Sequence, residues 1–184
     1  GSPVQTGFLQ VIPQTTYNAT RGYGWTSRVA GANRKDTVNP DSDGALRTDL
    51  NYARDATFKV DLPTGMYNVR IYHSNPKYYG TVPYIADNFA VYLEGSGTAA
   101  YTISSVAAGS TEIREPSVNV SGGALEIRFL DLGGQDGNFV VAGIDISAGS
   151  LPSDMPLLAA GDPRDGEAAA IGAGQLQPFS LNRS

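Results

Sequence analysis

The chain has 184 residues, a net charge of −5, 41% hydrophobic residues and no cysteine. That is enough for one domain with its own core, and it excludes thiol catalysis and a disulfide framework. An acidic balance without a Lys/Arg cluster offers no basic face to nucleic acid or to an anionic membrane, and no apolar run approaches the roughly 18 residues of a spanning helix.

Taken in order, the first segment holds Tyr17, Tyr23 and Trp25 among glycines and polar residues. The stretch from Asp49 to Arg54 allows a short helical turn, although its apolar positions lack the i, i+3, i+4 rhythm. Strong strand signals begin at Ala56. Phe58, Val60 and Leu62 share one parity, with Thr57, Lys59 and Asp61 on the other, the period-two pattern of a strand with one buried face. Pro63, Thr64 and Gly65 read as the turn of a β-hairpin, after which Tyr67, Val69 and Ile71 continue the buried face toward His73. The loop from Ser74 to Asn88 carries Tyr78, Tyr79 and Tyr84 without apolar periodicity, and Phe89 opens a third strand.

Further strands are expected at Ala100 to Ser104, Thr111 to Arg114, Ser117 to Val120, Ala124 to Leu130 and Phe139 to Ile146. Many short strands separated by turn residues specify an all-β antiparallel sandwich. After Ile146 the character changes to a Gly/Ala/Pro-interrupted run. Residues 1–147 therefore read as the sandwich domain and 148–184 as a linker or tail, with Gln177 to Leu181 able to dock back as an edge strand.

Catalytic groups are scarce. The chain has one histidine, and His73 shares the parity of the core residues, which makes it a packed position. No Gly-x-Ser-x-Gly elbow is present for a serine nucleophile. Asp87, Glu94, Asp131 and Asp136 could meet as a carboxylate pair, yet most aspartates stand beside Gly or Asn, where turn formation accounts for them. Asn39, Asp41 and Asp43, followed by Gly44, match the first half of a calcium loop. The second half fails, because Leu50 occupies the place expected for a bidentate carboxylate and Asp49 falls one residue early. A solvated turn or a structural calcium are the two readings.

Aromatic residues gather outside the strand cores, at Tyr17, Tyr23 and Trp25 and again at Tyr78, Tyr79 and Tyr84. A sugar ring presents an apolar C–H face and a rim of hydroxyls, so its site needs a flat aromatic and nearby Asn, Asp, Arg or Gln groups. Arg21, Asn75, Lys77, Asp87, Asn88, Asp136 and Asn138 lie in the same loops. Trp25 also suits a second role, plugging one end of the core.

The run Arg21-Gly22-Tyr23-Gly24-Trp25, the segment Ala45 to Asp49, the block Ala56 to Val69, Asp87 to Gly95 and the closing Asp136 to Ile146 together resemble the galactose-binding-like jelly rolls. Within them the chain is similar to the malectin-like and carbohydrate-binding modules of bacterial polysaccharide lyases, agarases and rhamnogalacturonan esterases, over roughly residues 4 to 147. The resemblance implies a secreted or cell-surface sandwich that holds a polysaccharide or oligosaccharide in loops at one end or on a concave face, often with calcium. By position it assigns the ligand to Tyr78, Tyr79, Tyr84, Asp136 and Asn138, with Tyr23 and Trp25 on the neighbouring rim. Related modules open with a Phe-Asp-Phe-Gly strand, and this sequence starts just after its place, so either that strand precedes residue 1 or the segment from Gln177 fills the slot. The resulting expectation is a non-catalytic carbohydrate-binding module of a multidomain protein; the alternative is a structural or adhesive domain of a bacterial surface protein.

Overall fold

The structure is a computed structural model that describes residue 4, residues 7–33, 49–75 and 85–149, and the backbone of 179–181. Its described residues are all-β, as the period-two alternation requires. One sheet runs in the order β1 (Leu9–Val11), β14 (Phe179–Leu181), β13 (Gly143–Ala148) and β6 (Gly65–Asn75), with β10 (Ser117–Val120) and β9 (Ser110–Arg114) along the far edge of β6. The second is β2 (Tyr23–Trp25), β5 (Asp55–Asp61), β11 (Ala124–Asp131), β7 (Ala86–Leu93) and β8 (Tyr101–Val106). A three-stranded sheet of β12 (Phe139–Val141), β4 (Asp49–Ala53) and β3 (Ala30–Asn33) completes the described fold. Among the described residues all strand pairings are antiparallel except that of β1 with β14; an isolated parallel bridge joins Thr16 to Trp25.

The expected hairpin at Pro63 does not form. β5 pairs with β2 and β11, whereas β6 pairs with β13, β9 and β10, so the chain crosses from one sheet to the other at Leu62 to Gly65. The alternation was misleading because both strands bury their apolar parity in the same core: Phe58, Val60 and Leu62 approach it from one sheet and Tyr67, Val69 and Ile71 from the other. A second crossing, between β10 and β11, runs beside the first, where Leu62 N–H donates to Gly123 O at 3.1 Å and Thr64 Oγ to Ser121 O at 3.5 Å.

Three other expectations change. The Asp49 to Arg54 region forms β4, not a helical turn; Asp49, Leu50 and Asn51 are all buried because β4 has a strand on each edge and protein on both faces. The stretch Phe139 to Ile146 is two strands, not one, breaking at Ala142, with β12 on β4 and β13 on β6. The tail segment Phe179–Leu181 lies between β1 and β13, an interior place in that sheet and not the edge expected for it.

The core is aromatic at its centre. Trp25 meets Phe58 edge-on at 5.4 Å, Phe129 at 6.0 Å and Phe139 at 6.3 Å, and Phe129 stacks on Phe139 at 5.0 Å. Each such ring, fully buried, contributes about 1.5–3 kcal/mol of transfer free energy, plus a further increment from edge-to-face geometry.

Candidate ligand-binding site at the strand-end rim

Three chain segments come together at one end of the sandwich: β6 ends at Asn75, β7 begins at Ala86, and the turn from Leu132 to Asn138 joins β11 to β12. That turn is held by the Asp87 carboxylate, which accepts the N–H of Gln135 and of Asp136, each at 3.1 Å. These backbone donors, Gln135 first and Asp136 next, hold its carboxyl below the usual range. Gly134 makes the arrangement possible. Its φ is +147°, and a Cβ there would stand 2.7 Å from Asp87 Oδ2. Asn88, itself at φ 45°, a conformation Asn tolerates better than most residues, braces the other side. Its backbone O accepts Leu132 N–H at 2.8 Å and its Nδ2 donates to Leu132 O at 3.4 Å.

The braced turn projects Asp136 and Asn138 into a cleft of about 120 Å³, walled also by Leu50, Tyr52, Asn75, Ala86 and Val140. Asn138 Nδ2 donates to Asp136 Oδ1 at 2.9 Å, so Asp136 Oδ2 and Asn138 Oδ1 remain as acceptors that take no hydrogen bond among the described residues. Asn75 is only 4% exposed. Its Nδ2 donates to Val106 O at 2.8 Å, so its amide secures the β8 end instead of reaching outward.

On the other side of Tyr52 lies a larger groove of about 750 Å³, bounded by Pro13, Gln14, Thr16 and the run Thr26 to Gly31. Tyr52 is a wall of both concavities. The register explains this: on β4, Tyr52 stands opposite Ala30 of β3 on one side and Val140 of β12 on the other, and directly opposed residues project to the same face. Gly31 lets the first segment close the groove, since a Cβ there would come within 2.7 Å of the Pro13 ring.

The structure thus brings Asn75, Asp87, Asn88, Asp136 and Asn138 to one rim, with Asp87 and Asn88 bracing it. It does not bring Tyr23 or Trp25 there. Trp25 is 1% exposed and its ring faces are covered by Phe58, Phe129 and Phe139, so it offers no face to a ligand; of its two expected roles, the core plug is the one observed. Tyr23 pairs with Val60, five residues along β5 from Asp55 at the rim end, or roughly 17 Å at strand rise. Its ring lies under the Arg21 guanidinium at 5.3 Å. Arg21 itself is occupied by the carbonyls of Tyr23 and Thr16, and Tyr17 donates to Asp61 at 2.9 Å. Tyr78, Tyr79, Tyr84 and Lys77, with the calcium candidates Asn39, Asp41 and Asp43, lie outside the described residues. Among the described residues no cluster of three or more His, Asp or Glu side chains has metal-binding geometry.

Sequence reasoning missed Tyr52. Its signal was the alternation Leu50, Tyr52 in β4, which a helical reading of that segment concealed. His73, in contrast, sits where its parity puts it, fully buried beside Phe89 at 5.1 Å. Its Nδ1 lies 2.7 Å from Val140 O, an acceptor only, so Nδ1 carries the proton and Nε2 accepts the Tyr101 hydroxyl at 2.8 Å.

A sandwich with its strand-end rim built in this way matches a described family. The profile of the β-agarase/YXIM esterase-like, galactose-binding domain-like family covers residues 1–146. The chain belongs to that family. Among solved structures it is similar to the YXIM protein of Bacillus subtilis, with 18% identity and a TM-score of 0.61 over 86% of this chain and 40% of that one. It is also similar to the plant receptor-like kinase FER, with 22% identity and a TM-score of 0.51 over 69% of this chain and 34% of that one. A third likeness is to β-glucuronidase 2 of Bacteroides uniformis, with 14% identity and a TM-score of 0.54 over 70% of this chain and 14% of that one. At these identities the likeness is one of fold, and the chain spans less than half the length of each of these structures. No curated protein matches it. No helix among the described residues is long and apolar enough to cross a membrane.

Proposed function

We propose that this galactose-binding-like domain is a non-catalytic carbohydrate-binding module, which holds an exported multidomain protein against a polysaccharide. The observation that carries the reading is Tyr52, an aromatic wall shared by a polar cleft and a groove. The groove's volume falls within the range of roughly 300–1,000 Å³ typical of ligand pockets, whereas the cleft is smaller. A sugar chain fits by resting units in the groove against Tyr52 while one hydroxyl or hydroxymethyl group enters the cleft. There Asp136 Oδ2 and Asn138 Oδ1 are the acceptors open to its single O–H.

Recognition is favoured over reaction by the state of the one imidazole in the chain: both ring nitrogens of His73 are engaged inside the core. Tyr78, Tyr79 and Tyr84 belong to the same proposal by their place in the sequence, since the segment that carries them joins Asn75 to Ile85 at this rim. A structural calcium at Asn39, Asp41 and Asp43 is proposed on spacing alone; a calcium-dependent rise in Tm that vanishes on substituting all three would support it.

Affinity electrophoresis against plant, algal and microbial polysaccharides tests the function. Retardation by at least one glycan is expected, weakened about tenfold or more in Asn138→Ala and Tyr52→Leu at unchanged Tm; loss of one aromatic or polar anchor at a site centre costs that much. Absence of retardation by every glycan refutes the reading and leaves the structural or adhesive alternative. Turnover of a retarding glycan refutes its non-catalytic part.

A further inference from the structure

The groove beside Tyr52 has a charge that the rest of the chain does not predict. The protein is acidic, at −5, and its other described cations are mostly engaged. Lys59 lies 3.8 Å from Glu126, Arg70 3.2 Å from Glu115, Arg114 2.7 Å from Glu112 and Arg128 2.7 Å from Asp55, while Arg21 serves backbone carbonyls. Arg28 has neither an ion-pair nor a hydrogen-bond partner among the described residues, and it lines the groove. No carboxylate lines the groove with it; the other polar lining groups are Gln14, Thr16, Thr26, Ser27 and Tyr52. An unpaired guanidinium among neutral donors, in one groove with an aromatic ring, has a defined complement: a planar or tetrahedral oxyanion carried on a ring with an apolar face.

We propose that the groove takes an anionic sugar unit, with its carboxylate or sulfate oxygens on the Arg28 guanidinium and its C–H face toward Tyr52. This inference rests on the carbohydrate-binding reading and adds the class of glycan to it. A chain crossing Tyr52 is then read twice, by charge at Arg28 on the β3 side and by hydroxyl position at Asp136 and Asn138 on the β12 side. The cleft supplies acceptors and one carboxylate, which disfavour an anion, so the polarity of the two subsites sets the direction in which an alternating chain lies.

Isothermal titration of the full chain with matched pairs tests this: polygalacturonate against its carboxyl-reduced form, and a sulfated galactan against its desulfated form. The two pairs separate carboxylate from sulfate as the source of the charge. The charged member of at least one pair is expected to bind about two- to fivefold more tightly, the upper range of a solvent-accessible ion pair, and added salt narrows the gap. Arg28→Gln, which removes no hydrogen bond or ion pair among the described residues, is expected to abolish that preference at unchanged Tm. Equal binding within both pairs, or a preference that survives Arg28→Gln, overturns the anionic subsite while leaving carbohydrate binding intact. Failure to bind any of the four overturns the subsite, and failure across the wider polysaccharide screen overturns the underlying reading as well.

Discussion

Acidification should loosen this fold through His73 before it touches the carboxylates. The imidazole is fully buried, and burial is the main cause that pushes its pKa from 6.5 down to about 4; the nearby Arg114 charge pushes the same way, against the hydrogen bond to Val140 O. The folded value lies below the unfolded one, so between pH 6.5 and 4 the unfolded chain takes up a proton that the native protein refuses. Stability is therefore complete above about pH 6.5 and declines as pH falls to about 4, at close to 1.4 kcal/mol per unit through most of the window. The integrated loss is about 3 kcal/mol, a large part of the 5–15 kcal/mol typical of a domain. Asp55, held low mainly by its hydrogen bond from Arg128, and Asp87 add losses only below the ordinary carboxylate range; Asp145, raised mainly by burial, acts with the opposite sign. Urea titrations at a series of pH values from 7.5 to 4.5, on wild type and His73→Gln, isolate the imidazole, because the carboxylates are common to both. The variant is expected to be less stable at neutral pH but nearly flat across the window. Parallel curves for the two proteins would refute the argument, since the proton linked to unfolding would then belong to another group.

Trp25→Ala is expected to cost about 3–5 kcal/mol, the range for deleting a buried aromatic. At roughly 2–4 °C per kcal/mol it lowers Tm by about 6–20 °C in calorimetry, while the folded fraction retains wild-type glycan affinity; a normal Tm with lost binding would put Trp25 back at a site. Gly134→Ala places a methyl group against the Asp87 carboxylate at a φ of +147°. It is expected to destabilise the turn by about 1–3 kcal/mol and to weaken binding at Asp136 and Asn138 well beyond its effect on Tm, as read by differential scanning calorimetry alongside titration.

The pattern of apolar residues by itself determined the strands and their inward faces. A strand exposes alternate side chains to opposite environments, so Leu125, Ile127 and Phe129 declare a core face without any knowledge of partners. The resemblance carried by Arg21 to Trp25 and Asp136 to Ile146 extended this to the family. Which strands pair was not legible, because β5 and β6 show the same alternation whether they lie side by side or face each other across the core. The roles of single aromatics and aspartates were hidden for a related reason. Trp25 and Tyr52 are both aromatics with polar neighbours, and only the closing of Phe58, Phe129 and Phe139 around one of them turned it inward. Asp87 and Asp136 both have polar sequence neighbours. Tertiary structure alone brought the Gln135 and Asp136 amides onto the first and left an oxygen of the second facing the cleft, since those contacts join segments separated by the whole of β8 to β11.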